Sequence, residues 1–474
     1  MEFISVEQAS NKWEVSVRTV QIYCTNNRIP GAVKKSGVWC IPANANKPSR
    51  KNSGKTSEMR PNAINVLSLF SGCGGLDLGF EGDFAVLKAS VNPKINPHWK
   101  EKAINNDWVK LPKLPFSTVF ANDIRQDAKT AWTNYFSKKG IPTTTYCVDS
   151  IVDLVKLHKE NKYSIFPDNI DIVTGGFPCQ DFSVAGKRLG FESKKSHTGK
   201  QLEDDAPSIE SRGKLYMWMR EVISITTPKM FIAENVKGLT NLKDVKEIIE
   251  HDFSTVCDGG YLVIPAKILL AANYGVPQSR ERVIFFGFKK SALREEAIEE
   301  LSKPDIAARF DPYPAKTHCE EGKGDLLPYV TLRQAFVDLL EPEQSTDISQ
   351  QKYSKAKYMG KHCQGQNEVS LDRIGPTIRS EHHGNIEYRR LSEEHGGKHS
   401  EELEHGLKER RLTVRECARI QTFPDDYEFI ISGKTNMRNV SASDAYKIIG
   451  NAVPPLLGYN IAHRIYDNWE LYFK

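Results

Sequence analysis

An open α/β fold built on a mostly parallel sheet is predicted by three features of this 474-residue chain. Short apolar runs recur at Val66-Leu67-Ser68-Leu69, Val119-Phe120-Ala121, Ile172-Val173 and Met230-Phe231-Ile232-Ala233, each the length of a buried strand rather than of a helix. Each run ends in glycine or an acidic residue, which is the chemistry of a strand turning out of a sheet. Longer segments separate the runs, so consecutive strands need crossover connections and lie parallel. In sheets of this kind the reactive groups gather outside the carboxyl ends of the strands.

Composition bounds the class. With 39% hydrophobic and 26% charged residues the chain can bury an ordinary core, and its length has room for about three domain-sized units. A formal charge of +5 pulls weakly toward a polyanionic partner, although local clusters matter more than the total. No run of 18 apolar residues occurs, and Met1-Glu2-Phe3 does not open a basic and then apolar leader. A cytoplasmic protein with no membrane partner is therefore expected. The nine cysteines are scattered without a Cys-x-x-Cys pair, which suggests neither a disulfide framework nor zinc. His318-Cys319 and His362-Cys363 lack metal-ligand spacing, and no metal is expected.

Residues 1–43 read as a separate module. Ser5-Val6-Glu7-Gln8 is a capping-box start for a helix to about Trp13. Ser16 can cap a second helix reaching Asn26, and Arg28-Ile29-Pro30-Gly31 stops it. Residues 33–41 read as a hairpin with a basic tip. This order resembles the excisionase-type winged helix-turn-helix modules, which lay their second helix in the major groove. On that resemblance Arg18, Thr19 and Tyr23 are exposed candidates for DNA contacts, and Lys34 and Lys35 for phosphate. The alternative is a helical pair that only docks on the main domain. Residues 44–62 form a basic linker poor in apolar residues.

The main domain is expected over residues 63–335. Val66 to Leu69 is its first strand, running into the glycine-rich turn Phe70-Ser71-Gly72-Cys73-Gly74-Gly75. Residues 82–117 interrupt the pattern and read as an insertion; the strand signal resumes at Thr118 and ends in Asp123, and another ends in Asp149. Such glycines let a ligand approach the backbone, and Phe70 offers an aromatic face. Asp123 can accept from ribose hydroxyls and Asp149 from an adenine amino group, while loop capping is the alternative for either. Beyond about residue 320 the alternation fades. Residues 336–410 are polar and read as a smaller lobe, and residues 411–474 return to the main domain through helices at 413–420 and from about 455.

The chemistry centres on Cys179, in Gly175-Gly176-Phe177-Pro178-Cys179-Gln180 at the end of a strand. Pro178 stiffens the loop that carries the thiol. Alone, such a cysteine is more often a small buried hydrophobe than a nucleophile. Its context argues otherwise: Glu234-Asn235-Val236 ends a second strand, and Gln278-Ser279-Arg280-Glu281-Arg282 precedes a third.

Taken in order, the glycine-rich turn, Pro-Cys, Glu-Asn-Val, Gln-x-Arg-x-Arg, Arg415-Glu416-Cys417-Ala418-Arg419 and Gly450-Asn451-Ala452-Val453 resemble the DNA cytosine-5 methyltransferases of bacterial restriction-modification type. The resemblance covers residues 64–470. It implies the S-adenosylmethionine-dependent methyltransferase fold, a mixed, mostly parallel sheet with helices on both faces, and a target-recognition lobe over 336–410. It implies that Phe70, Ser71, Gly72, Gly74, Gly75, Asp123, Ile124, Asp149, Pro178, Leu215, Asn451 and Ala452 hold S-adenosyl-L-methionine. It makes Cys179 the nucleophile toward C6 of cytosine, Glu234 the group on the N3 and N4 edge, Arg282 the holder of O2, and Arg280 a support for the loop or thiolate. Surface ion pairing is the alternative for one of the arginines, and Gln278 reads as structural. Because C5 and C6 are stacked in a duplex, the target must be flipped out. Residues 181–210 then read as a lid. Residues 360–365 and 376–379 resemble recognition-loop segments, with Gln364 entering the vacated space. Thr377, Arg379, His382 and His383 are candidates for bases or phosphate.

The implied partners are duplex DNA, the chain's own promoter, and a cognate restriction endonuclease acting on the same site without obligate contact. A nucleoid-associated monomer is expected. Two other readings stand beside this one: a transfer-RNA cytosine-5 methyltransferase, whose Cys-Phe-Thr in the smaller lobe is absent here, and a DNA-binding transcriptional regulator.

Overall fold

The computed structural model describes residues 3–13, 15, 17–25, 28–35, 38–48, 63–161, 164–177, 215–241, 245–380, 385–431 and 439–474. It divides into two compact units, Met1–Glu58 with Lys156–Pro167, and Met59–Val155 with Asp168–Lys474.

In the smaller unit β1 (Phe3–Ile4) precedes α1 (Val6–Trp13) and α2 (Val17–Thr25), and β2 (Val33–Lys35) and β3 (Val38–Pro42) complete a sheet of order β1-β3-β2. The capping box forms: the Ser5 amide donates to Gln8 Oε1 at 2.8 Å and the Gln8 amide to Ser5 Oγ at 3.2 Å. Val6, Ala9, Trp13, Val20, Cys24 and Ile41 make a small core. Tyr23 belongs to it, only 5% exposed, with the Arg28 guanidinium 4.7 Å above its ring. The expectation of an exposed Tyr23 is thereby corrected. Val20, Tyr23 and Cys24 are one inward stripe at helical spacing. Lys34 is exposed, its ammonium 5.8 Å from the Trp39 ring across the hairpin. The side chains of Arg18, Thr19 and Lys35 lie outside the described residues.

The larger unit starts with β4 (Ile64–Leu69), passes through β5 (Ala85–Leu87), β6 (Lys102–Ala103) and β7 (Trp108–Lys110), and returns in β8 (Phe116–Asn122). It continues with β9 (Tyr146–Cys147), β10 (Ile172–Gly176), β11 (Met230–Val236), β12 (Tyr261–Leu270) and β13 (Glu281–Lys289). The main sheet has seven strands in the order β12-β13-β11-β10-β4-β8-β9. Its pairings are parallel except those of β13, which is antiparallel to both neighbours. All six residues of β4 are buried, Asn65 and Ser68 included, as befits a strand in a sheet covered on both faces. β5, β6 and β7 form a separate antiparallel sheet in the insertion. Asn92 ties that insertion down by donating to Thr317 O at 2.8 Å and Asp325 O at 2.7 Å.

Helix α3 (Gly75–Glu81) follows β4, and α4 (Gln126–Phe136) follows β8; α5 (Val414–Ile420), α6 (Ala442–Asn451) and α7 (Pro455–Asp467) bring the end of the chain back. α3 and α7 touch through their glycines, since a Cβ on Gly79 would lie 2.6 Å from the Gly458 carbonyl carbon. His98 and His463 each hydrogen-bond Asp467 at 3.0 Å, fastening the insertion to α7.

The polar lobe holds an inward-turned charge network. Arg390 bonds Glu341 at 2.9 Å and Glu402 at 2.6 Å, and Arg410 bonds Glu341 at 2.9 Å and Glu416 at 2.8 Å. Arg390 and Arg410 are buried, so removing one partner would strand a charge where water cannot reach it.

Candidate active site

The strand order reverses between β4 and β10: after β4 the chain moves out through β8 and β9, then returns to the other side of β4. Such a switch point is where open α/β sheets place a binding crevice, beyond the carboxyl ends of both strands. Residues after β4, β8 and β9 fall on one side of it, and residues ending β10 and β11 on the other.

On the first side the turn after β4 is held open. Phe70 is partly exposed with φ of 53°, a conformation costly for a bulky residue. Ser71 stabilises it, with its amide donating to Asn122 O at 2.8 Å and its hydroxyl to Ser68 O at 3.0 Å. Asp123 accepts the Gly72 amide at 3.1 Å and the Arg125 amide at 3.0 Å. It therefore caps the loop, with one backbone amide on each carboxylate oxygen. Asp149 accepts the Cys147 thiol at 3.3 Å, and Ile124 is 52% exposed beside Asp123.

The three glycines differ. A Cβ on Gly72 would meet nothing within 4 Å, whereas one on Gly74 would lie 2.5 Å from the Trp132 ring and one on Gly75 2.1 Å from Val453 O. Gly74 and Gly75 let α3 pack; Gly72 faces open space. That open backbone, a partly exposed phenylalanine, an exposed isoleucine and a carboxylate fit a nucleoside-bearing cofactor. Ala452 closes the far wall of the turn, 3.1 Å from the position of a Cβ on Gly75, and Asn451 beside it is exposed. Leu215 is buried at the start of the Leu215–Thr226 helix.

Beneath this turn lies Asp77, which accepts from Ser68 Oγ at 2.5 Å and from Trp132 Nε1 at 2.7 Å. Burial raises its carboxyl to about 6, opposed by those two hydrogen bonds. Burial likewise pushes the Cys73 thiol far up, and its sulfur donates to Ile448 O at 3.2 Å. Cys73 is thus a packing residue, not a nucleophile.

On the second side β10 and β11 are in register so that Gly176 faces Glu234. A Cβ on Gly176 would stand 2.8 Å from Glu234 Oε2, so the carboxylate lies across the end of β10. Arg282 Nε holds Glu234 Oε1 at 2.5 Å, both side chains about one-tenth exposed. Arg282 Nη1 also donates to Glu281 O at 2.7 Å. Asn235 Nδ2 donates to Phe177 O at 3.1 Å, fixing the chain two residues before Cys179. Pro178 and Cys179 lie outside the described residues, as do the expected lid at 181–210 and the Ser211 to Lys214 segment.

Arg280 is fully buried and donates to Ile378 O at 3.0 Å and Gly450 O at 2.8 Å. It joins the Thr377-Ile378-Arg379 segment to the Gly-Asn turn, which is the loop-supporting alternative for this residue. Gln278 is structural: it donates to Ile420 O at 3.2 Å and Gln421 Oε1 at 2.9 Å and accepts the Ile378 amide at 3.0 Å. Thr377 Oγ1 donates to Ser279 O at 2.9 Å. Arg379 lies 3.4 Å from Glu387. Gln364 is exposed; His382 and His383 lie outside the described residues. Asp77 and Trp132 were not singled out from the sequence, and the anchoring role of Asn235 was not seen although the residue sits inside Glu-Asn-Val.

Residues 64–467 match the family model described as C-5 cytosine-specific DNA methylase. The chain is 33% identical over 426 residues to Type II methyltransferase M.BsuRI of Bacillus subtilis, covering 87% of this chain and 81% of that protein. It is also 33% identical to Type II methyltransferase M.BspRI of Lysinibacillus sphaericus, covering 86% and 82%. Among solved structures, the methyltransferase EhMeth of Entamoeba histolytica superimposes with a TM-score of 0.51 at 15% identity, over 86% of this chain and 99% of that one, a likeness of fold.

Proposed function

The chain belongs to the family of C-5 cytosine-specific DNA methylases, and from that premise we propose how its own residues perform the reaction. It is a DNA cytosine-5 methyltransferase of the Type II restriction-modification class. The observation that carries the mechanism is the cluster beside the end of β10, where Glu234, held by Arg282, lies across the strand end and Asn235 anchors Phe177, two residues before Cys179.

Cytosine C5 is a poor nucleophile while the ring is aromatic. Addition of the Cys179 thiolate to C6 makes C5 an enamine carbon, splitting one hard step into two easier ones. Glu234 takes up a proton from solvent and passes it to N3 as charge builds there, and its other oxygen accepts from the N4 amino group. Arg282 keeps the Glu234 carboxylate aimed and offers the rest of its guanidinium to O2. Water then takes the C5 proton, the electrons of that bond form the C5–C6 double bond as the thiolate leaves C6, and N3 returns its proton to Glu234, which restores the ring. S-adenosyl-L-methionine, when bound, supplies the electrophilic methyl group; Phe70, Gly72, Asp123, Ile124 and Asp149 are the residues that would hold it, with Leu215, Asn451 and Ala452 closing the site.

The target cytosine must leave the stack to reach this cluster. Gln364 would fill the space it vacates, residues 181–210 would close over it, and Thr377, Arg379, His382 and His383 would contact bases or phosphates. The N-terminal module would bind a second DNA sequence, the promoter of the chain's own gene, and repress transcription as the enzyme accumulates. A restriction endonuclease cutting the same site would be its functional partner.

Bisulfite sequencing of DNA from cells expressing the protein tests the activity: protected cytosines within one short sequence are expected, and their absence overturns it. Duplex DNA with 5-fluorocytosine at that position should be trapped covalently by the wild type with cofactor. An equal adduct with Cys179→Ser would overturn the nucleophile assignment.

A further inference from the structure

Resting on the reading of residues 360–365 as a recognition segment, we propose that Arg411 is the positioning residue that presents it to DNA as a preformed loop. Arg411 is fully buried in the two-residue strand Arg410–Arg411, paired with Tyr388 of the Tyr388–Arg390 strand. Its guanidinium carbon lies over the Tyr388 ring, 4.1 Å from the centroid. From there it donates to five acceptors: Ala356 O at 3.1 Å, Lys357 O at 3.3 Å, Gly365 O at 2.8 Å, Gln366 Oε1 at 3.2 Å, and Ile386 O. Four of these belong to the two stems of one loop, residues 356–357 on entry and 365–366 on exit. The planar fork of arginine serves such divergent acceptors, and the single ammonium of lysine cannot.

The loop between the stems carries further constraints of its own. The Met359 amide donates to Gln366 Oε1 at 3.0 Å and the Cys363 amide to Gly360 O at 3.0 Å. Gly365 has φ of 71°, and a Cβ there would lie 2.2 Å from the Asn385 backbone, so its stem packs directly on that backbone and only glycine fits. What remains outside is the tip: Met359, 65% exposed, with Lys361, His362 and Gln364. Arg411 also ties this tip to the catalytic unit, because Leu412 and the capping residue Thr413 connect it directly to α5, and Gln421, just beyond α5, donates to Ile449 O at 2.6 Å and Ala452 O at 3.2 Å. A loop clasped at both stems meets DNA with little conformational freedom left to lose, so its selectivity depends on the clasp as well as on the contacting side chains.

Arg411→Lys keeps the charge and loses most of the bonds; Gln366→Met keeps side-chain volume and removes the acceptor shared by Arg411 and the Met359 amide. Bisulfite sequencing of DNA from cells expressing each variant gives the ratio of methylation at the preferred sequence to that at sequences differing by one base. Calorimetric S-adenosylmethionine affinity of each purified variant reports whether the catalytic unit is intact. Arg411→Lys should lower the ratio by about tenfold, the discrimination of one base contact, with cofactor affinity unchanged, and Gln366→Met should lower it in the same direction. If Arg411→Lys does not fold, Gln366→Met alone decides. An unchanged ratio in the folded variants overturns the proposal. Gln364→Ala separates the two readings: if it too leaves methylation unaltered, the recognition-segment reading fails; if it alters methylation while the clasp variants do not, only the clasp fails.

Discussion

Arg282 and Glu234 form a nearly buried ion pair, Nε to Oε1 at 2.5 Å, between the start of β13 and the end of its antiparallel neighbour β11. The pair sets the aim of a carboxylate that would otherwise be free to rotate over Gly176. Because both groups are largely desolvated, each depends on the other. Glu234→Gln should lower kcat by roughly a hundredfold or more, the usual contribution of a positioned proton donor, with S-adenosylmethionine affinity unchanged. Steady-state kinetics with calorimetry checks this; a kcat near that of the wild type would remove Glu234 from the chemistry.

Asn235 acts one step further from the reacting atoms. Its amide donates to Phe177 O at 3.1 Å inside the sheet edge, and Asn235→Ala leaves that carbonyl without its donor, a cost of about 1–3 kcal/mol. Since Phe177 is two residues from Cys179, the thiol should lose its placement. The rate of covalent trapping on 5-fluorocytosine DNA should fall by about a hundredfold, the scale of a misplacement near 1 Å. Trapping at the wild-type rate would show that Asn235 only packs.

The strands and their ends were readable because the signals are local: an apolar run, then glycine or a carboxylate, at β4, β8, β10 and β11. The same is true of the capping box at Ser5. What was not readable depends on partners far away in sequence. Asn235 and Phe177 are 58 residues apart, and Arg410 finds Glu341 69 residues away. Polar composition over 336–410 therefore marks a separate lobe but does not show that the fold buries paired arginines inside it. Tyr23 was misread for a different reason: the tyrosine looked like a DNA contact, but its spacing from Val20 and Cys24 already marked the inward stripe.

Asp77 gives stability a pH dependence of definite sign. Its folded carboxyl is raised by burial from 3.8 to about 6, so between those values the folded state holds a proton that the unfolded chain has released. Stability from this group therefore falls as pH rises from 4 to 6, by on the order of 2–3 kcal/mol. Asp77→Asn has no such proton. Its stability relative to the wild type should increase across that window, measured by urea denaturation at pH 4.5 and 7; a constant difference would show that Asp77 titrates normally.

Lys34 separates the two proposed DNA-binding activities. It is exposed on the hairpin of the small unit, opposite Trp39, and Lys35 follows it in the basic tip. Electrostatic contacts to phosphate weaken with each cation removed. Lys34→Glu with Lys35→Glu reverses two charges while leaving the buried stripe of Val20, Tyr23 and Cys24 untouched. Point substitution is preferable to deleting the module, because Lys156–Pro167 clusters with Met1–Glu58 in one compact unit and would lose its neighbours. The double variant should methylate the same sequence as the wild type, while footprinting on DNA upstream of its gene should lose protection at a second sequence. Identical protection by both proteins, or none by either, removes autoregulation through this module.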